Sequence, residues 1–208
     1  MYTPAHFKET DLERIAALIE SYPFGALVTA PDGLPVVSHL PFLFDNTIGA
    51  HGKLLGHMAR ANPQWQHLAA GGKALAVFQG PHAYVSPSWY SSPGVPTWNY
   101  AVVHLYGKLR LIEDGAELAA LLERLTNTYE SNKKNPWEPK LSGESSSRLL
   151  GMIVGFEIEV TDVQGKFKLS QNRPAEDQQR VIEELSKSPD QLEIAVAKLM
   201  AGRSDAAR

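Results

Sequence analysis

The chain has 208 residues, 43% hydrophobic and 21% charged, with a formal net charge of -3 and an isoelectric point near 6.2, which suits one well-filled core and gives no global attraction to nucleic acid or an anionic membrane. Cysteine is absent, which excludes disulfides, thiolate zinc sites, iron–sulfur clusters and a cysteine nucleophile and fits a reducing cytoplasm. No signal-peptide core and no run of about 18 to 20 apolar residues is present, so a soluble, cytoplasmic protein without a membrane span is expected.

Thr10-Asp11-Leu12-Glu13 has the pattern of a capping box, and Leu12, Ile15, Ala16 and Ile19 recur at helical spacing until Pro23, which predicts an opening amphipathic helix. Gly25 to Ala30, a Pro31-Asp32-Gly33 turn and Leu34 to Phe44 read as a strand hairpin. An extended stretch from about Ile48 to His57 leads to Asn62-Pro63, an N-cap followed by a first helical position. A short helix is therefore expected to about Ala70, closed by Gly71-Gly72. Lys73 to Gln79 and Ala83 to Ser86 are predicted as two strands, and Trp98 to Ile112 as a long one. Asp114 caps a helix with Leu118, Leu121, Leu122 and Leu125 on one face. The aperiodic segment 131–149 is a lid candidate, since loops of that length are usually functional or mobile. Met152 to Val163 is predicted as a strand and Gly165 as a turn, and two helices divided near Ser188-Pro189 complete the chain. The expected fold class is mainly β with helical decoration (α+β).

The sequence holds no G-x-x-x-x-G-K loop, no G-x-G-x-x-G, no H-E-x-x-H and no G-x-S-x-G, so four common nucleotide, zinc and hydrolase chemistries lose support. His6, His39, His51, His57, His67, His82 and His104 never fall at H-x-H or H-x-x-x-H spacing, so no metal site is expected. Three segments carry chemistry. In Leu54 to Trp65 a strand ends, Arg60 appears and a helix begins, which suits phosphate oxygens; equally, Arg60 can lie on the surface while Asn62 caps the helix. Gly80 to Tyr90 and Val95 to Tyr100 interleave aromatics with hydroxyls, as the wall of a flat heteroaromatic ligand or as an aromatic rim or dimer contact. Lys166 to Arg173 is cationic and amide-rich, either a partner for a flavin's pyrimidine edge or a solvated strand end.

These segments, with Met1-Tyr2-Thr3-Pro4-Ala5-His6-Phe7 and Pro35-Val36-Val37-Ser38-His39-Leu40-Pro41-Phe42, resemble the PaiB family of FMN-binding negative transcriptional regulators, within the FMN-binding split-barrel superfamily. The likeness covers almost the whole chain. It implies an FMN-binding split β-barrel over 1–173, with 174–208 as a C-terminal helical pair packed on the same domain. It also implies a homodimer with two FMN molecules at the interface, each touched by both chains. His57, Arg60 and Asn62 are then expected at the phosphate, and Ser38, His39 and Leu40 along the ring and ribityl chain. Thr97, Trp98 and Asn99 would form the wall supplied across the interface, with Lys168 and Gln171 at the ring edge. The paired Arg/Lys phosphate clamp of the pyridoxamine-phosphate oxidase relatives is missing, and Arg60 stands alone in its place.

The family name adds promoter DNA as a partner. Yet from Pro174 onward five cations (Arg180, Lys187, Lys198, Arg203, Arg208) face seven acids (Glu176, Asp177, Glu183, Glu184, Asp190, Glu193, Asp205), the wrong balance for a module that contacts phosphates. The leading expectation is an FMN-binding, PaiB-type regulator. The alternatives are an FMN-dependent oxidoreductase with a nicotinamide donor and a haem-handling split barrel that uses one of the histidines.

Overall fold

The computed structural model describes residues 1–69, 72–139 and 144–206. In chain order the elements are β1 (Lys8–Glu9), α1 (Leu12–Ser21), β2 (Phe24–Thr29), β3 (Val36–Pro41), β4 (Leu43–Asp45) and β5 (Lys53–Ala59), then α2 (Gln64–Ala69), β6 (Lys73–Val85) and β7 (Thr97–Ile112). α3 (Gly115–Glu130), α4 (Glu144–Leu150), β8 (Ile153–Lys168), α5 (Ala175–Ser186) and α6 (Gln191–Ala206) follow.

Local chemistry explains most boundaries and four departures from the sequence pattern. Asp11 rather than Thr10 caps α1, its Oδ1 accepting from the Glu13 amide at 2.9 Å. The extended stretch begins at Lys53, not Ile48, because Gly49 and Gly52 turn the chain with φ of 71° and 84°. The two strands expected around Gly80-Pro81 are one, β6, which buries Ala74, Ala76 and Phe78 before that dipeptide and Ala83 and Val85 after it. The proline thus switches the inward face without ending the strand. Gly165 is likewise no turn but part of β8. There Glu9 of β1 lies opposite, and an added Cβ would meet the Glu9 carbonyl oxygen at 2.7 Å. Asp114 caps α3 as expected, accepting from the Ala116 and Glu117 amides. Of the lid candidate 131–149, residues 140–143 lie outside the described residues, as do Ala70 and Gly71, and α4 begins at Glu144.

The described residues divide into two units. One comprises Met1–Ser21, Gln79–Val103 and Gln164–Arg208, and the other Tyr22–Phe78 and His104–Val163. In the second the strand order is β3-β2-β6-β7-β8-β5-β4, and its two end strands are joined by the single residue Phe42. A flat sheet of seven strands would be about 29 Å wide, so ends one residue apart require the sheet to curl back on itself. β3 and β4 do not pair with each other, so the barrel stays split there. Phe42 is 1% exposed and packs edge-on against Phe78 and Phe156, with ring centroids at 5.4 and 6.1 Å. The other face of β5 carries Leu55, which joins Ile112 and the α3 leucines 118, 121 and 125 in a separate cluster.

In the first unit β1 pairs antiparallel with the end of β8, Lys8 opposite Lys166. Glu9, 7% exposed, receives the Thr10 and Asp11 amides and Arg203 Nη1 at 3.0 to 3.1 Å. That carboxylate ties β1 to α6, while Ile15, Leu18, Ile19, Phe167, Val181, Leu185 and Val196 fill the core.

Candidate functional site

The expected site residues fall in both units, and each group has its own geometry. In the second unit β3 alternates, with Val36, Ser38 and Leu40 half-buried and Val37 and His39 exposed. Ser38 Oγ accepts from Asn62 Nδ2 at 2.8 Å, while Asn62 Oδ1 accepts from the Gln64 amide at 3.0 Å. Asn62 therefore caps α2 and reaches β3 at once. His39 points to the opposite face, stacked with Phe24 at 6.3 Å.

Arg60 donates from Nε to the Gly151 carbonyl at 2.9 Å and from Nη2 to that of Ile153 at 3.1 Å, with its guanidinium 5.9 Å from the Trp65 ring. Among the described residues nothing engages its Nη1. His57 is half-buried on β5, on the same face as Leu55. Burial holds its imidazole below the ordinary value and so keeps it neutral, and its buried Nδ1 has no partner among the described residues. Gln64, inside the Leu54 to Trp65 segment but not among its expected site residues, is wholly buried, and its Nε2 bridges the Leu27 and Val36 carbonyls, each at 3.0 Å. That amide fixes the β2–β3 hairpin against the start of α2.

In the first unit even-numbered residues of β7 face outward and odd ones inward, so Trp98 and Tyr100 share one face while Asn99 is buried on the other. Asn99 Nδ2 donates to Ser170 Oγ at 2.9 Å. This bond supports Ser170 in a left-handed conformation, φ 64°, unusual for a residue with a side chain. Gln171 closes the same loop on itself, its Oε1 accepting from the Leu169 amide and its Nε2 donating to the Phe167 carbonyl. Asn99 and Gln171 are thus engaged by backbone and core, whereas Trp98 is 52% exposed.

Thr97 and Lys168 meet directly: Lys168 Nζ donates to Thr97 Oγ1 at 2.6 Å and to the Trp98 carbonyl at 2.5 Å. Burial, and secondarily the charge of Lys166, push the Lys168 ammonium below its ordinary range. Lys166 Nζ lies 5.3 Å from the Tyr100 ring. Among the described residues neither lysine has a carboxylate partner. Beside them the Trp98 ring is 6.1 Å from both His82 and Tyr84, and a pocket of about 330 Å³ is lined by Gln79, His82, Trp98, Tyr100 and Val102. The sequence pattern singles out both this aromatic segment and the cationic run from Lys166, but it places only Lys168 and Gln171 of that run at the ring edge. Among the described residues no group of three or more His, Asp or Glu side chains could hold a metal.

Comparison with known proteins bears on the family and the fold. Residues 1–162 match the family described as "Putative FMN-binding domain". The chain is 44% identical over 202 residues to the protease synthase and sporulation protein PAI 2 of Bacillus subtilis (strain 168), with 96% of each covered. Among solved structures, the FAD and heme binding protein from Mycobacterium smegmatis aligns with a TM-score of 0.62 at 18% identity, covering 83% of this chain and 78% of that one. The flavocytochrome Anf3 from Azotobacter vinelandii gives a TM-score of 0.62 at 16% identity, covering 82% and 74%. These two likenesses establish the split-barrel fold, and the identity to PAI 2 and the family match carry the assignment further. The chain belongs to the PaiB family and contains an FMN-binding domain.

Proposed function

We propose that the protein is a homodimeric, cytoplasmic FMN-binding regulator in which each flavin is held by two protomers. One protomer supplies Ser38, His39, Leu40, His57, Arg60 and Asn62, and its partner supplies Thr97, Trp98, Asn99, Lys168 and Gln171. The observation that carries this reading is the half-buried Lys168, without a carboxylate partner among the described residues and set beside exposed Trp98 and the 330 Å³ aromatic pocket. A cation whose burial is not offset by an acid favours an anionic ligand, and a flat aromatic wall favours a fused ring; FMN offers both. The residues fit the cofactor elsewhere too. Arg60 Nη1 remains available for phosphate, and Asn62 and Ser38 offer polar atoms to the ribityl chain. When bound, FMN supplies reversible electron or hydride acceptance.

Asn99 and Gln171 act in this reading by shaping the wall, since their side chains are engaged with Ser170 and with the loop backbone. Regulation through the flavin rather than through a DNA-reading helix pair fits the C-terminal charges. Arg180 pairs with Glu176, Lys187 with Glu184 and Arg203 with Glu9, so three of the five cations there are already neutralised. No described helix is long and apolar enough to cross a membrane.

Complementation tests the shared site. Arg60→Ala and Lys168→Met homodimers should each bind FMN weakly, whereas dissociated and remixed protomers should regain up to about a quarter of the sites, those pairing two unaltered groups. No recovery in proven heterodimers would place both groups in one protomer's site or in none. A haem reading draws on the buried His82 Nδ1 beside Trp98, which has no partner among the described residues, and on the name of the Mycobacterium smegmatis neighbour; a Soret band after haem addition would favour it over FMN.

A further inference from the structure

Asp177, in the first turn of α5, is wholly buried, and among the described residues its carboxylate takes its hydrogen bonds from a loop 85 to 86 residues earlier in the chain. Oδ1 accepts from the Ser91 amide at 2.7 Å and from Ser91 Oγ at 2.9 Å, and Oδ2 accepts from Ser92 Oγ at 2.5 Å. Two residues further along the loop, the Pro93 carbonyl accepts from Arg173 Nη1 at 2.9 Å, and the same guanidinium lies 4.2 Å from the Tyr90 ring. Gly94 makes that packing possible, since an added Cβ would come within 2.4 Å of Tyr90 and 2.5 Å of Arg173. Only Val95 and Pro96 then separate Gly94 from Thr97, which Lys168 holds.

We infer that Asp177, with Arg173, is a positioning residue: it clamps the loop from Tyr90 to Gly94 and so sets the approach of Thr97 and Trp98, the candidate flavin wall. The inference rests on the flavin reading above. Residues 91 to 97 are gripped at both ends and carry Pro93 and Pro96, so little conformational freedom remains to be lost when a ligand settles against Trp98. Both clamping residues lie beyond position 162, where the family match ends. The C-terminal region therefore acts as a working part of the site, through the loop rather than by touching the ligand.

The test compares full-length Asp177→Ala with Leu185→Ala, which removes a buried side chain from the same helix without touching the loop. Chymotryptic cleavage after Trp89 or Tyr90 reads the clamp, while FMN titration and the visible circular dichroism of bound FMN read the wall. Asp177→Ala should be cut about tenfold faster than Leu185→Ala, bind FMN about tenfold more weakly and alter the flavin dichroism. Asp177→Asn, which keeps an acceptor for Ser91, should restore much of each. Cleavage at the Leu185→Ala rate would overturn the clamp, and a freed loop with unchanged FMN affinity and dichroism would overturn its positioning role. Wild-type protein that binds no FMN would refute the flavin reading and the positioning role with it, whereas the cleavage comparison would still decide whether the clamp exists.

Discussion

Lys168 at the end of β8 donates to Thr97, the first residue of β7, across 2.6 Å, so a cation and a hydroxyl that are 71 residues apart form one polar unit. Replacing Lys168 with Met should weaken FMN binding by about 1.5 to 3 kcal/mol, the range for losing a charge-assisted contact. Thr97→Val should cost less, about 0.5 to 1.5 kcal/mol, because it removes only a neutral hydroxyl. Flavin fluorescence titration measures both, and a Lys168→Met protein with wild-type affinity would remove the lysine from the site.

Arg60→Ala tests the phosphate end of the proposed site apart from the ring end. If Nη1 meets phosphate, Arg60→Ala should weaken FMN by about 1.5 to 3 kcal/mol and leave riboflavin binding nearly unchanged. Parallel titrations with the two flavins decide it. Equal losses for both would mean that the change acts through the lost bonds to Gly151 and Ile153.

The one-residue junction at Phe42 is the structural keystone of the barrel unit. Phe42→Ala should destabilise the protein by about 3 to 5 kcal/mol, since the ring is buried between Phe78 and Phe156 and leaves a cavity there. Urea denaturation followed by tryptophan fluorescence gives the value. A loss below about 1 kcal/mol would mean that the site collapses freely around the gap.

His57 makes stability depend on pH. Burial holds its folded value below the ordinary 6.5, so as pH falls the unfolded chain takes up a proton before the folded one does. Its contribution is intact above 6.5 and is lost as pH drops from there through the folded value. His104, also lowered by burial, adds in the same direction. His57→Gln should flatten the decline in denaturation midpoint between neutral and acidic pH; an undiminished decline would assign it to other groups.

Features governed by neighbours in sequence were legible before the structure. The Asp114 cap, the α3 leucines, the turn between β2 and β3 and the Asn62 cap all depend on residues a few positions apart. What escaped depends on distant partners. Gly165 and Gly80-Pro81 look like strand breakers, and only the β1 pairing and the change of buried face show why β8 and β6 run through them. Ser38 touches Asn62 and Thr97 touches Lys168, although the members of each pair were expected at different parts of the cofactor. His39 and Asn99 lie on the faces away from those contacts, because strand alternation sends adjacent residues to opposite sides. Asp177 read as one acid among seven in an acidic tail, and its serine partners could not be inferred from so far along the chain.

Every proposed role above depends on retention of FMN by this PaiB-family chain. The direct measurement is the absorbance spectrum of the purified protein, incubated with FMN and then desalted on a sizing column. Flavin absorbance should co-elute with a dimer at about one FMN per protomer. A colourless protein peak after saturation with FMN would contradict it.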